Sequence, residues 1–137
     1  MTSPRLNLLV IRSEESARTI GFYELLGLCF QEEQHGKGPV HWAAEFGGLV
    51  MEIYPAKLPN DVDRTTRLGF EVDEIESILA SLRVQCVEVV NDLKPTQWGL
   101  RAVVKDPDGR SVEFGAEISA ISRNNMIIRF EFRFLDL

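Results

Sequence analysis

The sequence predicts an α+β fold built from two tandem β-α-β-β-β modules, and two observations support this prediction. First, the segment GLVMEIY (48–54) aligns with GRSVEFG (109–115), so that Glu52 falls on Glu113. Each copy is a turn glycine that leads into a short strand. Second, the signals for strands, helices and turns follow the same order on both sides of a linker at 56–66, which contains a proline and an Asn-Asp turn signal.

Composition and charge exclude several classes of protein. The 137 residues suffice for one domain with a core, or for two half-size modules that share one, and we favour the second arrangement. No apolar run approaches the ~20 residues of a membrane helix, and the first residues lack a secretion signal, so we expect a cytoplasmic protein without a membrane partner. The net charge of −6 and the scattered lysines and arginines argue against nucleic acid as a partner.

Module one, residues 5–55, begins with an apolar run at 6–11 that indicates a buried strand. Ser13 is a candidate N-cap for a helix over about 14–26, because the two glutamates that follow it would lie where the helix dipole favours negative charge. Three further strands are expected at 29–34, 41–46 and 49–54. The last two would form a hairpin, because the Gly47-Gly48 pair between them is a favoured two-residue connection.

Module two, residues 67–116, repeats this order. After a strand at 67–72, Asp73 is a candidate N-cap, and the apolar side chains that follow have the i, i+3, i+4, i+7 spacing of an amphipathic helix. They are Ile75, Ile78, Leu79 and Leu82. We expect strands at 86–90, 100–105 and 111–115, with a loop at 91–99 that contains a proline and a glycine.

The C-terminal extension, 117–137, differs in pattern from the two modules. Four apolar residues alternate there with charged ones, and a period of two with one aromatic face indicates an additional strand. They are Ile128, Phe130, Phe132 and Phe134. This strand would pair at a sheet edge or across a subunit interface, and the sequence leaves both arrangements open.

Cys29 and Cys86 are far apart and stand in apolar surroundings. Without CxxC spacing they are expected to be small buried hydrophobic residues in a reducing compartment, and a disulfide between them is poorly supported.

Glu52 and Glu113 are the candidate catalytic residues. Because side chains alternate along a strand, each glutamate points away from the apolar face of its strand. If the modules pack about a pseudo-twofold axis, the two carboxylates approach each other, and paired carboxylates are ligands for hard metals or handle protons. Taken singly, either residue could be an ordinary solvated glutamate.

Three segments together resemble the vicinal oxygen chelate superfamily, which includes glyoxalase I, bleomycin- and fosfomycin-resistance proteins and extradiol dioxygenases. They are FYELLGL (22–28), LVMEIYP (49–55) and WGLRAVVKDPDGRSVEF (98–114). The resemblance covers roughly residues 6–116. It implies that each module is a curved mixed sheet with its helix outside and that the two sheets enclose a cup. We also expect the protein to form a homodimer.

The resemblance also implies where a metal would bind. In metal-using members the ligands come from the first and last strands of each module, and Glu52 and Glu113 match the two last-strand positions. The first-strand positions fall at Leu8, or at Leu6 or Asn7, and at Arg67. Leucine offers no lone pair and arginine repels a cation, so only two carboxylates and water remain for one divalent ion such as Zn, Ni, Mn or Mg.

Five further residues are candidates for substrate binding in the cup. Arg67 could pair with Glu113 or bind an anionic group, and Arg101, if it points inward as the resemblance implies, needs a carboxylate partner or a ligand. Tyr54 and Trp98 could stack on a flat substrate or fill core volume. His41 could titrate in the cup, although a lone histidine is more often structural or solvated than a ligand.

Two functions follow from these observations. The first is a lyase or isomerase of the glyoxalase type, in which Glu52 and Glu113 hold a divalent metal that polarises a substrate oxygen while one carboxylate moves a proton. The second is a metal-free protein of the bleomycin-resistance type, which sequesters a small molecule through stacking and arginine contacts. Serine nucleophiles and phosphoryl transfer are disfavoured, because the sequence has no GxSxG, P-loop or HExxH motif.

Overall fold

A computed structural model of the chain describes residues 3–117. Eight strands and two α-helices occur in the described part of the chain, in the order strand, helix, three strands, strand, helix, three strands. They are β1 (Leu8–Ser13), α1 (Ser16–Glu24), β2 (Gln31–Glu33), β3 (His41–Phe46), β4 (Leu49–Pro55), β5 (Leu68–Glu71), α2 (Ile75–Val84), β6 (Val89–Thr96), β7 (Gly99–Lys105) and β8 (Ser111–Ala116). The predicted α+β class and the repeated order of elements are confirmed.

The described residues divide into two compact units. The first unit comprises 3–66 together with 105–111, and the second comprises 67–104 together with 112–117. Each unit contains one four-stranded mixed sheet, with strand order β1-β4-β3-β2 in the first and β5-β8-β7-β6 in the second. In both sheets the first strand of the unit runs parallel to the last one.

Alternation of side chains gives the first sheet one apolar face. Ile11, Met51, Ile53 and Ala44 are buried there together with Phe22 and Tyr23 of α1. The opposite face carries Glu52. A hairpin links β3 to β4 through Gly47 and Gly48, whose φ angles of 56° and 79° belong to the left-handed region that glycine adopts at little cost.

The second sheet has the same construction. Leu68, Val112 and Phe114 are buried with Ile75, Leu79 and Leu82 of α2, which confirms the helical spacing of these apolar residues. Glu113 lies on the other face, since it stands between two buried residues of β8. In both units, therefore, the sheet face away from the helix carries the candidate glutamate.

The structure corrects the predicted loop at 91–99 and the strand at 86–90. Residues 89–96 form β6, while Cys86 follows α2 with a φ of 59°. Among residues 3–117, β6 is the edge strand of its sheet, and an edge strand tolerates Pro95 because a residue without an N–H removes no ladder bond on the side that has no partner strand. Register shifts between Val89 and Lys94 show that the edge strand is irregular.

Neither predicted N-cap is correct. Glu15 and Glu74 occupy the N-cap positions of α1 and α2, and neither makes a side-chain capping bond. The Ser13 hydroxyl instead accepts a bond from the Glu15 N–H and pairs with Thr19 Oγ1 at 2.8 Å. The Ser13 hydroxyl therefore bonds to Thr19 and to the Glu15 N–H, and it does not cap the helix as the sequence predicted.

The predicted burial of Cys29 and Cys86 is also wrong, because both thiols are free and exposed. The predicted strand with Ile128, Phe130, Phe132 and Phe134 lies outside the described residues. Within 3–117, no helix is both long and apolar enough to cross a membrane.

Candidate functional site

The open face of the first sheet is organised around Glu52. In register, Glu52 lies opposite Val10 of β1 on one side and Ala43 of β3 on the other. Leu8 and Val10 are exposed to 49% and 42%, although both are apolar. A carboxylate therefore stands beside an uncovered apolar strip, which is a combination that suits contact with a small molecule.

His41 is fully buried beside Glu52, with 1% of its surface exposed. Its Nε2 lies 3.0 Å from Glu52 Oε2 and 3.4 Å from Glu33 Oε2. His35, in the turn after β2, has its Nε2 3.6 Å from the same Glu33 oxygen. We call Glu33, His35, His41 and Glu52 the His/Glu cluster; their ligand atoms all lie within 4.8 Å of one another.

Aromatic stacking holds the His41 ring in place. The Tyr54 ring lies parallel to it, with 4.2 Å between centroids and an interplanar angle of 7°. The Arg12 guanidinium in turn lies 5.3 Å from the centre of the Tyr54 ring. Tyr54 therefore packs against His41 and also lies within cation–π distance of Arg12.

In the second unit, Glu113 meets two arginines. Arg67 Nη2 donates to Glu113 Oε1 at 2.8 Å, and Arg101 Nη2 donates to the same oxygen. Burial by itself would raise the pKa of Glu113, but the bonds and charges of Arg67 and Arg101 outweigh it and hold this pKa below its ordinary value. Glu113 is therefore ionised and doubly paired.

Trp98 stands in the turn between β6 and β7 and is 77% exposed. Its ring does not fill core volume. Of the predicted residues, the structure thus brings together Glu52, His41 and Tyr54 in the first unit and Glu113, Arg67 and Arg101 in the second. That Glu52 and Glu113 serve one site remains a prediction.

Sequence reasoning missed Glu33 and His35. A signal was present, since His35 and His41 flank a short turn and Glu33 precedes it on a strand. In the β2–β3 ladder Glu33 lies directly opposite His41. Cross-strand partners of this kind can be found only once the register is known.

A buried charge network, also missed, holds residues 105–111 in the first unit. Arg110 is 1% exposed, and its Nη1 donates to Asp106 Oδ2 at 3.2 Å and to Asp108 Oδ2 at 3.4 Å. Its Nη2 donates to the backbone carbonyl of Arg12. The DPDG turn is therefore a structural anchor rather than part of the open face.

Asp106 and Asp108 extend this network into α1. Tyr23 Oη donates to Asp106 at 2.7 Å, and burial together with this carboxylate raises the pKa of Tyr23 far above its ordinary value. Burial would also raise the pKa of Asp108, but bonds from the Glu14 N–H and the Thr19 hydroxyl, with the Arg110 charge, hold it below its ordinary value.

The residues at the four positions implied for a metal do not fit one. Leu8 offers no ligand atom, and Arg67 brings a positive charge. Glu113, which should be a ligand, has its Oε1 occupied by two guanidinium groups. A cation at Glu113 would also be repelled by the positive charges of both arginines.

Comparison with known proteins gives a family match and a set of similar folds. The family model described as Glyoxalase/Bleomycin resistance protein/Dioxygenase superfamily matches residues 5–114. No curated protein matches the sequence.

Solved structures share the fold at low sequence identity. The antibiotic binding protein TnmS3 from Streptomyces sp. CB03234 has 22% identity and a TM-score of 0.65, covering 85% of this chain and 98% of its own. Oxidase ChaP-H2 has 17% identity and a TM-score of 0.69, covering 87% and 98%. An integron cassette protein from the mobile metagenome of V. cholerae has 23% identity and a TM-score of 0.61, covering 85% and 97%.

Proposed function

Because the chain belongs to the glyoxalase/bleomycin resistance protein/dioxygenase superfamily, we propose that it is a small-molecule-binding protein that uses Arg67 and Arg101 to hold an acidic group of its ligand. It would do so without a metal at the four superfamily positions. The observation that carries this proposal is the pair of guanidinium groups on one oxygen of Glu113.

The charge balance of this cluster supports anion binding. Two arginines share one carboxylate, so the cluster has a net positive charge in a chain whose net charge is −6. Both guanidinium groups are accessible, with side-chain exposures of 52% for Arg67 and 37% for Arg101. Each has N–H donors beyond the one given to Glu113, and a planar fork of donors suits a carboxylate or sulfonate.

The rest of the proposed ligand is flat and apolar. Exposed Trp98, which lies in the same unit as Arg67 and Arg101, offers an apolar ring on which a flat group can stack. Among the neighbours, one carries the description of an antibiotic binding protein, which supports a binding role for this fold. We further propose a cytoplasmic homodimer that binds neither nucleic acid nor membrane, in keeping with the net negative charge.

The probe 8-anilinonaphthalene-1-sulfonate, which joins flat rings to an anionic group, tests this proposal. We expect saturable binding of the dye by fluorescence titration, weakened about 10-fold or more by Arg67→Gln or Arg101→Gln, because a hydrogen bond to a charged group contributes about 1.5–3 kcal/mol. Arg83→Gln is the matched control, since Arg83 forms an exposed ion pair with Asp92 elsewhere in the unit.

The Glu113→Gln substitution should change dye affinity in the opposite direction, which provides a second test. Removing the competing carboxylate frees both guanidinium groups, so the dye should bind more tightly. Equal binding by the Arg67, Arg101 and Arg83 variants would contradict the proposal.

A second candidate function is a lyase or isomerase of the glyoxalase type that moves a proton through Glu52. The observation favouring it is the 3.0 Å contact between Glu52 Oε2 and His41 Nε2, because a carboxylate beside an imidazole can act as a general base. This candidate function predicts that the protein turns over a glutathione hemithioacetal. The Glu52→Gln substitution should abolish this activity, whereas Arg67→Gln should retain it.

A further inference from the structure

We propose that the His/Glu cluster is a binding site for one divalent transition-metal ion of the zinc class. The site lies wholly in the first unit, on β2, β3, β4 and the turn after β2. It shares Glu52 with the superfamily positions and takes its other three ligands from elsewhere. The proposal does not depend on the anion-binding function of the second unit.

The spacing of the donor atoms is close to that of a metal site. Zinc bound to nitrogen and oxygen ligands at about 2.1 Å in a tetrahedron separates those ligands by about 3.4 Å. The three contacts in the cluster that are resolved individually measure 3.0, 3.4 and 3.6 Å, and the widest separation is within 4.8 Å. Small rotations of exposed side chains suffice to complete the geometry, since Glu33 and His35 are 40% and 75% exposed.

His41 is prepared for metal binding by its second ring nitrogen. Nδ1 lies 3.2 Å from the carbonyl oxygen of Pro39, which can only accept, so Nδ1 must donate its proton there. In the neutral ring this leaves a lone pair on Nε2. A histidine that donates one N–H to a carbonyl and presents the other nitrogen is the usual form of a metal-binding histidine.

The buried Nε2 atom has no hydrogen-bond partner despite two carboxylate oxygens nearby. A lone pair facing two anionic oxygens is repulsive, and a buried polar atom without a partner destabilises the fold. A cation among the three atoms removes both penalties. A proton on Nε2 would relieve these penalties less completely than a metal ion, since the contact between Nε2 and Glu52 lacks hydrogen-bond geometry.

The elements around the cluster hold its members in position. Tyr54 stacks on His41, and the pairing of Glu33 opposite His41 is set by the β2–β3 ladder. The turn that carries His35 is closed by the Gly38 N–H, which donates to the His35 carbonyl at 3.0 Å. Backbone hydrogen bonds thereby hold the main chain of Glu33, His35 and His41 in position in the absence of a metal ion.

The donor set indicates the class of metal. Two imidazoles and two carboxylates suit zinc, and also cobalt or nickel, whereas magnesium and calcium prefer oxygen donors throughout. Two carboxylates balance the charge of a divalent ion. The ion would fasten the β2–β3 turn to β4.

Zinc titration of the untagged, chelator-treated full chain by isothermal calorimetry tests the site. The Cys29→Ser/Cys86→Ser background is needed because both thiols are exposed and could bind zinc themselves. We expect one zinc per chain, and at least about 10-fold weaker binding in Glu33→Gln and in His35→Gln, since even residues outside the ligand shell change affinity 10- to 100-fold. Both side chains are exposed, so these variants should fold.

Cobalt provides a second readout through its visible absorption, which reports a tetrahedral nitrogen and oxygen environment. Glu32→Gln is the matched control for Glu33→Gln, because Glu32 is the adjacent exposed residue on the opposite face of β2. Glu32→Gln and Glu113→Gln should both leave zinc affinity unchanged. The proposal is overturned by stoichiometry well below one, by unchanged affinity in Glu33→Gln and His35→Gln, or by loss of zinc in Glu113→Gln. None of these outcomes bears on dye binding through Arg67 and Arg101.

Discussion

At the scale of single residues, we expect the largest contributions to stability from charged side chains that are buried and paired with opposite charges. Arg110 is almost completely buried, yet it lies between the carboxylates of Asp106 and Asp108 and also reaches a backbone carbonyl. Breaking such a group by removing one partner is far more costly than removing an exposed pair, because it leaves uncompensated charge in the interior.

We therefore expect Arg110→Met to lower the free energy of unfolding by about 3–5 kcal/mol, since methionine keeps much of the volume but leaves two buried carboxylates without their cationic partner. Urea denaturation measures the change. Arg83→Met is the control, because Arg83 and Asp92 form an exposed ion pair, and such pairs contribute about 0–1 kcal/mol. Losses of similar size in both variants would contradict this account of Arg110.

At the scale of elements, the turns depend on glycine where the backbone leaves no room for a side chain. Gly99 begins β7 with a φ of 120°, and a Cβ built there would lie 2.3 Å from the carbonyl oxygen of Ala116. Both facts are properties of the backbone, so no rotation of a neighbouring side chain relieves them. Gly21 in α1 is the opposite case, because a Cβ there has no neighbour within 4 Å.

Substitution by alanine should therefore act with opposite signs at these two glycines. Gly99→Ala is expected to cost more than about 2 kcal/mol in the free energy of unfolding, through the strained φ and the contact with Ala116. Gly21→Ala is expected to stabilise by about 0.5–1 kcal/mol, because alanine is the better helix former. Thermal and urea unfolding of both variants measure the difference; destabilisation by Gly21→Ala would show that its position is not an open helix surface.

At the scale of the whole molecule, contacts between residues far apart in sequence define the first unit. Asp108 accepts bonds from the Glu14 N–H and the Thr19 hydroxyl, which lie 94 and 89 residues away along the chain. These bonds, with Arg110, depress the pKa of Asp108 despite burial. The turn between β7 and β8 is therefore attached to the first unit by a carboxylate that must be ionised.

This attachment should make the protein sensitive to acid. The folded-state pKa of Asp108 lies below its unfolded value of about 3.9, so its contribution is fully present well above pH 3.9 and is lost as the pH falls through the folded pKa. We expect the urea midpoint of the unmodified chain to fall from about pH 5 downward. Asp108→Asn should be less stable at pH 7 and lose less on acidification, while exposed Asp73→Asn should follow the unmodified chain. Parallel curves for all three proteins would exclude this role for Asp108.

The sequence by itself determined the order of elements and the faces of the strands. These properties depend on neighbours along the chain, because a strand alternates with period two and a helix has 3.6 residues per turn. The spacing of Ile75, Leu79 and Leu82 predicted the buried face of α2, and the Gly47-Gly48 pair predicted the hairpin. The predicted loop at 91–99 was wrong because Pro95 lies in an edge strand. A proline disrupts an inner strand but is tolerated at an edge. Whether a strand lies at an edge depends on the whole sheet and cannot be seen from neighbouring residues in the sequence.

Only the tertiary structure decided which charged groups meet. The approach of Glu33 and His35 to His41, the two arginines on Glu113 and the burial of Arg110 all join residues on different strands or turns. Such contacts depend on strand register and on how loops close, and a shift of one residue would turn each side chain to the other face. For this reason the sequence identified Glu52 and Glu113 as candidates, whereas the fold determined that one faces histidines and the other arginines.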